Sequence, residues 1–208
     1  MHDNDGVSEP SRVSRRKFLY AVVVTAPSAF LPVSSFGSEK GRPDHEPTPA
    51  AGKQLELTPQ ETAGPFFRPN SPQKSNFREK GVQGEPIKLT GFIVDLKGKP
   101  IQGALIDFWH ADGAGEYDLE GFRCRGHQFT DASGKYTLET VLPGLYPGRT
   151  RHYHARLQAA HGPVLTTQLF FPKEARNAED SLFRPELLLA IRETEPPKLA
   201  MFNFVIRT

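Results

Sequence analysis

From Ile87 onward apolar and polar positions alternate along the chain. Ile87, Leu89, Gly91, Ile93 and Asp95 interleave with Lys88, Thr90, Phe92, Val94 and Leu96, and a period of two predicts a strand with one face on a core. Lys97-Gly98-Lys99-Pro100 reads as a turn, and Ile101–His110 as a second strand. A polar, glycine-rich passage, Ala111–Gly121, follows. His127–Thr130 and Lys135–Thr140 form the arms of a hairpin around Asp131–Gly134, and further strands are expected to about Ala159 and over Pro163–Phe171. Residues 173–184 are polar, with room for one helical turn. Leu187–Ile191 and Leu199–Ile206 are expected to pair across Thr194–Lys198. No long segment has helical periodicity. Short strands separated by Gly/Pro turns indicate an all-β class, a sandwich or barrel with long loops.

Ahead of the strands the pattern changes twice. Ser14-Arg15-Arg16-Lys17-Phe18-Leu19 precedes an apolar run, Tyr20–Val33, broken by Pro27. The run is too short and too interrupted to span a bilayer, and paired arginines before it resemble a bacterial twin-arginine export signal. Residues 1–37 are therefore read as a signal peptide, with a periplasmic or extracellular destination and no stable membrane insertion after cleavage. Residues 38–54, rich in Pro, Gly and charge, read as a flexible linker, and residues 55–208 as the folded domain. Within it, Thr58–Phe67 carries Pro59, Gly64 and Pro65, too many breaks for a helix or a central strand. Phe66 and Phe67 still need burial, so this stretch is expected to lie as an extended arm on the domain. Residues 68–85 read as loop.

The 208 residues carry a formal charge of +2, so no global basic surface implies nucleic-acid binding. The single cysteine, Cys124, rules out an intrachain disulfide.

The candidate chemistry centres on Tyr146–His154, YPGRTRHYH. On a strand His152 and His154 project from one face and Tyr153 from the other, which suits two imidazoles to one metal ion. Pro147-Gly148 marks a turn that can return the Tyr146 phenol over the histidine face. Tyr117 lies in the glycine-rich loop after Trp109. Taken alone, His-x-His is also compatible with an ordinary half-buried strand.

Several separated segments together carry a more specific signal. Gly103–Asp118 (GALIDFWHADGAGEYD), Thr130-Asp131 with Gly134 and Tyr136, and Tyr146-Pro147 with Arg149, His152 and His154 resemble the intradiol ring-cleavage dioxygenases. So do Thr58-Pro59 with Thr62, Gly64, Pro65 and Phe66, and Thr167–Phe171. The resemblance spans about residues 57–208 and is nearest the protocatechuate-type core. It implies a prealbumin/transthyretin-like β-sandwich and a non-haem Fe(III) cofactor held by Tyr117, Tyr146, His152 and His154. The implied substrates are a catechol-like aromatic and O2, and the implied product is a muconate-type diacid. Tyr146 would also accept a substrate proton, Arg149 would stabilise developing oxyanion charge, and Gln168 would lie beside substrate and iron. Trp109, Pro65 and Phe66 would line the pocket. The step from Tyr146 to His152 is shorter than in the catechol 1,2-dioxygenase branch, and that branch's N-terminal helical region has no counterpart here. Substrate identity stays open, and so does assembly, a homo-oligomer included.

Two other readings use the same sequence. His110-Ala111-Asp112 is a His-x-Asp pair that a distal histidine could complete into a two-histidine-one-carboxylate Fe(II) site. A transthyretin-like sandwich can also serve adhesion or binding without catalysis.

Overall fold

The computed structural model describes residues 54–194 and 196–208; the expected signal peptide, and all of the linker except Gln54, lie outside them. Nine strands are named in chain order: β1 (Pro86–Val94), β2 (Leu105–Trp109), β3 (Arg125–Phe129), β4 (Lys135–Val141), β5 (His152–Gln158), β6 (Leu165–Phe170), β7 (Ala190–Arg192), β8 (Lys198–Met201) and β9 (Phe204–Val205). They form two sheets. One runs β4-β1-β8-β7, with β9 also on β1; the other runs β3-β2-β5-β6. Helix among the described residues is limited to the 3-10 turns Ala175–Ala178 and Pro185–Leu187. No helix there is long and apolar enough to cross a membrane.

The alternation in β1 does what its period dictates. Ile87, Leu89 and Ile93 are buried, and they meet Ile106, Phe108, Tyr153, Leu157 and Leu169 of the facing sheet in a single core. Aligned sheets with interleaved inner faces are the packing of a sandwich. Gly91 occupies an inward position of β1 because the Phe202 carbonyl crosses there: a Cβ on residue 91 would stand 1.7 Å from that oxygen.

Residues 55–79 form an arm that ties the two sheets together. Thr58 N–H donates to the Val205 carbonyl (3.0 Å) and Glu61 N–H to that of Thr166 (2.8 Å), while the Thr167 hydroxyl donates to the Pro59 carbonyl (2.7 Å). Further on, Gln73 bridges to His127 and Asn76 to Glu139. The arm thereby covers sheet edges that would otherwise present unpaired backbone groups.

Several boundaries differ from the sequence reading. The second strand starts at Leu105 rather than Ile101, because Gly103 takes a left-handed conformation (φ 68°) that interrupts extension. Residues 68–85 are not only loop, since Gln73 and Asn76 pair with strands. Near the C-terminus, β7 and β8 pair antiparallel as expected. However, Leu187 lies in a 3-10 turn, and Phe204–Val205 leaves β8 to pair parallel with β1.

Gly91→Ala should lower stability by about 3 kcal/mol, the upper end for an overpacked core, seen as a lower urea midpoint. An unchanged midpoint would mean that the Phe202 segment yields freely.

Candidate active site

The site is built on the outer face of the second sheet. In β5, Tyr153, Ala155 and Leu157 point into the core, so His152 and His154 point outward. Strand register sets their neighbours: Trp109 and Gln168 lie directly opposite His154 on the two flanking strands, and Phe170 lies opposite His152. An outer sheet face is ordinarily wet. Here the arm and two loops cover it, leaving His152 5% and His154 2% exposed.

His152 Nδ1 donates to the Thr150 carbonyl (2.7 Å). The proton is thus fixed on Nδ1, and the Nε2 lone pair is free. That Nε2 lies 3.2 Å from His154 Nε2 and 3.4 Å from the Tyr117 hydroxyl. Burial pushes the pKa of His152 down to about 4, with the Arg149 charge acting in the same direction. Burial also drives His154 well below its usual value, so both rings are neutral at pH 7. His154 Nδ1 is buried without a formed hydrogen bond. The Thr62 carbonyl lies close enough to favour a proton on the ring. Trp109 stacks on the His154 ring at 4.9 Å and 3°. A Cβ on Gly64 would sit 3.3 Å from His154 Cε1, and Gly64 has φ 64°; the arm backbone lies flat against the ring because residue 64 has no side chain.

Tyr117 is placed by a loop that wraps on its own carboxylates. Asp112 Oδ1 accepts from the N–H groups of Ala114 (2.9 Å) and Glu116 (3.2 Å). Asp118 Oδ1 accepts from Glu120 and Gly121, and its Oδ2 from Arg123 N–H. Aspartates that bond backbone a few residues on are natural turn formers. The Tyr117 ring stacks on Phe66 at 4.3 Å. Burial raises its pKa, and the charges of Arg149 and Arg125 oppose that rise. Tyr146 sits on a turn closed by Arg149 N–H donating to its carbonyl (3.1 Å). Pro147 and a left-handed Gly148 (φ 75°) occupy the two central positions, the residue pattern of a type II turn. The turn carries the Tyr146 ring edge-on to Phe66 (5.4 Å) and to Tyr117 (5.9 Å).

Arg149 is held from two sides. Its Nε donates to Asp180 Oδ2 (2.8 Å) and its Nη2 to Gln168 Oε1 (2.6 Å). Gln168, fully buried, donates through Nε2 to the Thr62 carbonyl (3.0 Å). Asp180 also accepts from Thr150 N–H (2.9 Å). The structure therefore groups Tyr117, Tyr146, His152, His154, Arg149 and Gln168, with Phe66 against both phenols. Trp109 packs behind His154 and against Phe67, and Pro65 is exposed on the turn of the arm. The sequence reading missed Asp180, Arg125 and the close approach of Gly64. Asp180 lies in a polar stretch with no spacing that ties it to Arg149. Arg125 falls between the glycine-rich passage and the strand expected from His127, with no spacing that marks it.

His110 and Asp112 are otherwise engaged. His110 Nδ1 donates to the Ala111 carbonyl, and its Nε2 accepts from the Thr140 hydroxyl, both at 2.7 Å, while Asp112 caps its own loop. Neither group is free for a facial triad.

Two imidazole Nε2 atoms, that of His152 carrying a free lone pair, and a phenol oxygen within 3.4 Å of it form a mixed N,O donor set. Such a set fits a hard or borderline cation such as iron.

Comparisons with known proteins identify the family. The family profile described as Dioxygenase matches residues 62–207. The protocatechuate 3,4-dioxygenase beta chain of Burkholderia cepacia is 34% identical over 49% of this chain and 51% of its own length. The hydroxyquinol 1,2-dioxygenase of Rhizobium sp. (strain MTP-10005) is 29% identical over 58% of this chain and 50% of its own. Among solved structures, the dioxygenase domain of a dioxygenase carbohydrate-binding protein fusion from Streptomyces sp. SirexAA-E is 48% identical. It superposes with a TM-score of 0.71 over 73% of this chain and 98% of that one. The chain belongs to the intradiol ring-cleavage dioxygenase family. It spans about half the length of the two curated relatives named here.

Metal-free protein should lose stability as pH falls from about 6.5 to about 4. The unfolded chain protonates His110 and His152 in that window, while the folded chain, with both pKa values lowered to about 4, does not. The loss reaches on the order of 3 kcal/mol per histidine at most. Asp118 and Asp180, whose folded pKa values lie below the usual carboxylate value, add a further loss at lower pH. Thermal midpoints of metal-free protein between pH 7 and pH 4 measure the effect; a flat profile contradicts it.

Proposed function

We propose that this chain is a non-haem Fe(III) intradiol dioxygenase. It cleaves a catechol-type ring between its two hydroxylated carbons with O2, and both oxygen atoms enter a muconate-type diacid. The observation that carries the reading is the meeting of His152 Nε2, His154 Nε2 and the Tyr117 hydroxyl, at 3.2 and 3.4 Å, with the Tyr146 ring alongside. A binding module has no need of that convergence. Ferric iron held by Tyr117, Tyr146, His152 and His154 supplies Lewis-acid activation of a catecholate toward O2.

The chain's own groups do the rest. The Nδ1 bond to Thr150 presents His152 as a neutral ligand without a proton to lose. Tyr146, on the turn and half-buried, is the phenol placed to take a proton from an incoming catechol, whereas Tyr117 is fixed by its stack on Phe66. Arg149 brings a permanent charge to the site, and Asp180 and Gln168 fix its direction before substrate arrives. A preorganised cation of this kind stabilises oxyanion charge as it develops. Phe66 and Trp109 keep water from the histidines.

Iron-loaded protein should be coloured through phenolate-to-iron charge transfer, and should consume O2 with catechol, protocatechuate or hydroxyquinol. Absence of both colour and uptake removes the proposal. Tyr117→Phe should weaken the colour, and His154→Ala should lose iron by on the order of 100-fold or more in affinity, beyond the 10–100-fold cost of a supporting residue. Unchanged iron content in both variants would take these side chains off the ligand list.

Residues 14–33 support an exported enzyme. Replacing Arg15 and Arg16 together with lysine should retain the full-length chain in the cytoplasm. Undiminished export of that variant would exclude the twin-arginine route.

A further inference from the structure

Arg125, on β3, is 2% exposed, and among the described residues no carboxylate oxygen lies within 4.0 Å of its guanidinium. A buried cation without a hydrogen-bonded acidic partner is costly unless something else answers its charge. Its hydrogen bonds go to backbone carbonyls alone. Nε (3.3 Å) and Nη2 (3.0 Å) donate to Asp118 O, and Nη1 donates to Phe66 O. The Asp118 carboxylate is turned away, toward Arg123 and its own loop's N–H groups. The other cation nearby, Arg68, spends Nη1 on the carbonyls of Leu119 and Gly121.

The two carbonyls that Arg125 grips flank one side chain. Asp118 follows Tyr117 in the loop, and Phe66 supplies the ring on which Tyr117 stacks. The guanidinium carbon itself stands 5.9 Å from the centre of the Tyr117 ring, within the range of a cation–π contact. Asp118 and Asp107 answer this charge only at a distance, without a hydrogen bond, and the guanidinium lies beside a group that becomes an anion on binding a metal.

We infer that Arg125 is a positioning residue for Tyr117: its guanidinium clamps the arm to the ligand loop and places a permanent positive charge beside the ring that donates to the metal. This rests on the reading of Tyr117 as an iron ligand. A cation nearer the phenolate ring than the iron lowers the energy of the donor electrons and moves the charge-transfer band to shorter wavelength. Removing it has the opposite effect. A purely structural arginine would leave the band where it is.

The test uses the full chain, iron-loaded, with Arg125→Met, Arg125→Gln and Arg125→Lys. The readouts are the visible band maximum, the rate of iron loss to a chelator, and thermal unfolding of the metal-free protein. Met and Gln should move the band to longer wavelength and speed iron loss at least tenfold. Gln retains hydrogen-bond donors without the charge, so its shift isolates the electrostatic part. Lys should restore the band position while still losing iron faster than wild type. Wild-type band position and iron retention in the Met or Gln protein would overturn the inference, and so would failure of all three variants to fold, which would assign Arg125 to the fold alone. A colourless wild-type protein instead sinks the iron reading itself.

Discussion

Two neutral imidazoles face one another at 3.2 Å on a sheet surface that would ordinarily be wet. Lone pairs at that distance repel, and burial removes the water that would otherwise separate them. Burial also prevents either ring from relieving the contact by taking a proton, since both pKa values are driven down. A His154 tautomer that donates Nε2–H to His152 Nε2 relieves the contact in the metal-free protein, and the proposed cation between the two nitrogens would relieve it in the loaded one. Much else in the domain can be understood as what is needed to keep this outer face dry. Trp109 is laid flat against His154, the Gly64 backbone is pressed on its edge, and Gln168 is buried beside it with both ends of its amide engaged.

The cover is itself held by arginines that donate to carbonyls. Arg125 links the arm to the Tyr117 loop, Arg68 reaches from the arm to Leu119 and Gly121, and Arg151 donates to Pro143 while pairing with Glu174. A guanidinium has five donors in a rigid fork, so one side chain can bridge two loops that share no regular structure. This suits a sandwich whose functional parts lie on irregular segments. It also gathers positive charge around a site whose proposed tyrosine ligands and catechol-type substrate would be anionic, a complementarity that neutral staples could not provide.

The histidine half of the site was legible in the sequence because a strand has a fixed period. Once residues 152–158 are read as a strand, the shared face of His152 and His154 follows, and so does the inward turn of Tyr153. The alternation of β1 and the Gly/Pro punctuation likewise exposed the all-β class. The loop half was not legible from spacing. Tyr117 reaches the histidines only because Asp112 and Asp118 fold their loop back on themselves. Asp180 reaches Arg149 across 31 positions of sequence through a polar stretch without periodicity. Only the family resemblance pointed to Tyr117, and nothing pointed to Asp180 or Arg125, because hydrogen bonds to backbone carbonyls leave no pattern in the side-chain sequence. Strand ends failed for a related reason. Gly103 looks like any small residue until its left-handed conformation shows that extension stops there.

The two kinds of support suggest a division of labour. Strand-borne His152 and His154 are locked in register with β2 and β6 and cannot move without disturbing the sheet. Tyr117 is nearly as fixed, through Phe66 and the Arg125 clamp. Tyr146 alone rides on a tight turn with solvent beside it, flanked by exposed Pro147, Gly148 and Leu145. The proposed two-oxygen substrate would need one donor able to give way, and displacing a turn-borne phenol breaks no sheet hydrogen bond. In the proposed enzyme, the two strand-borne imidazoles would stay in place while the turn-borne phenol of Tyr146 gives way to substrate.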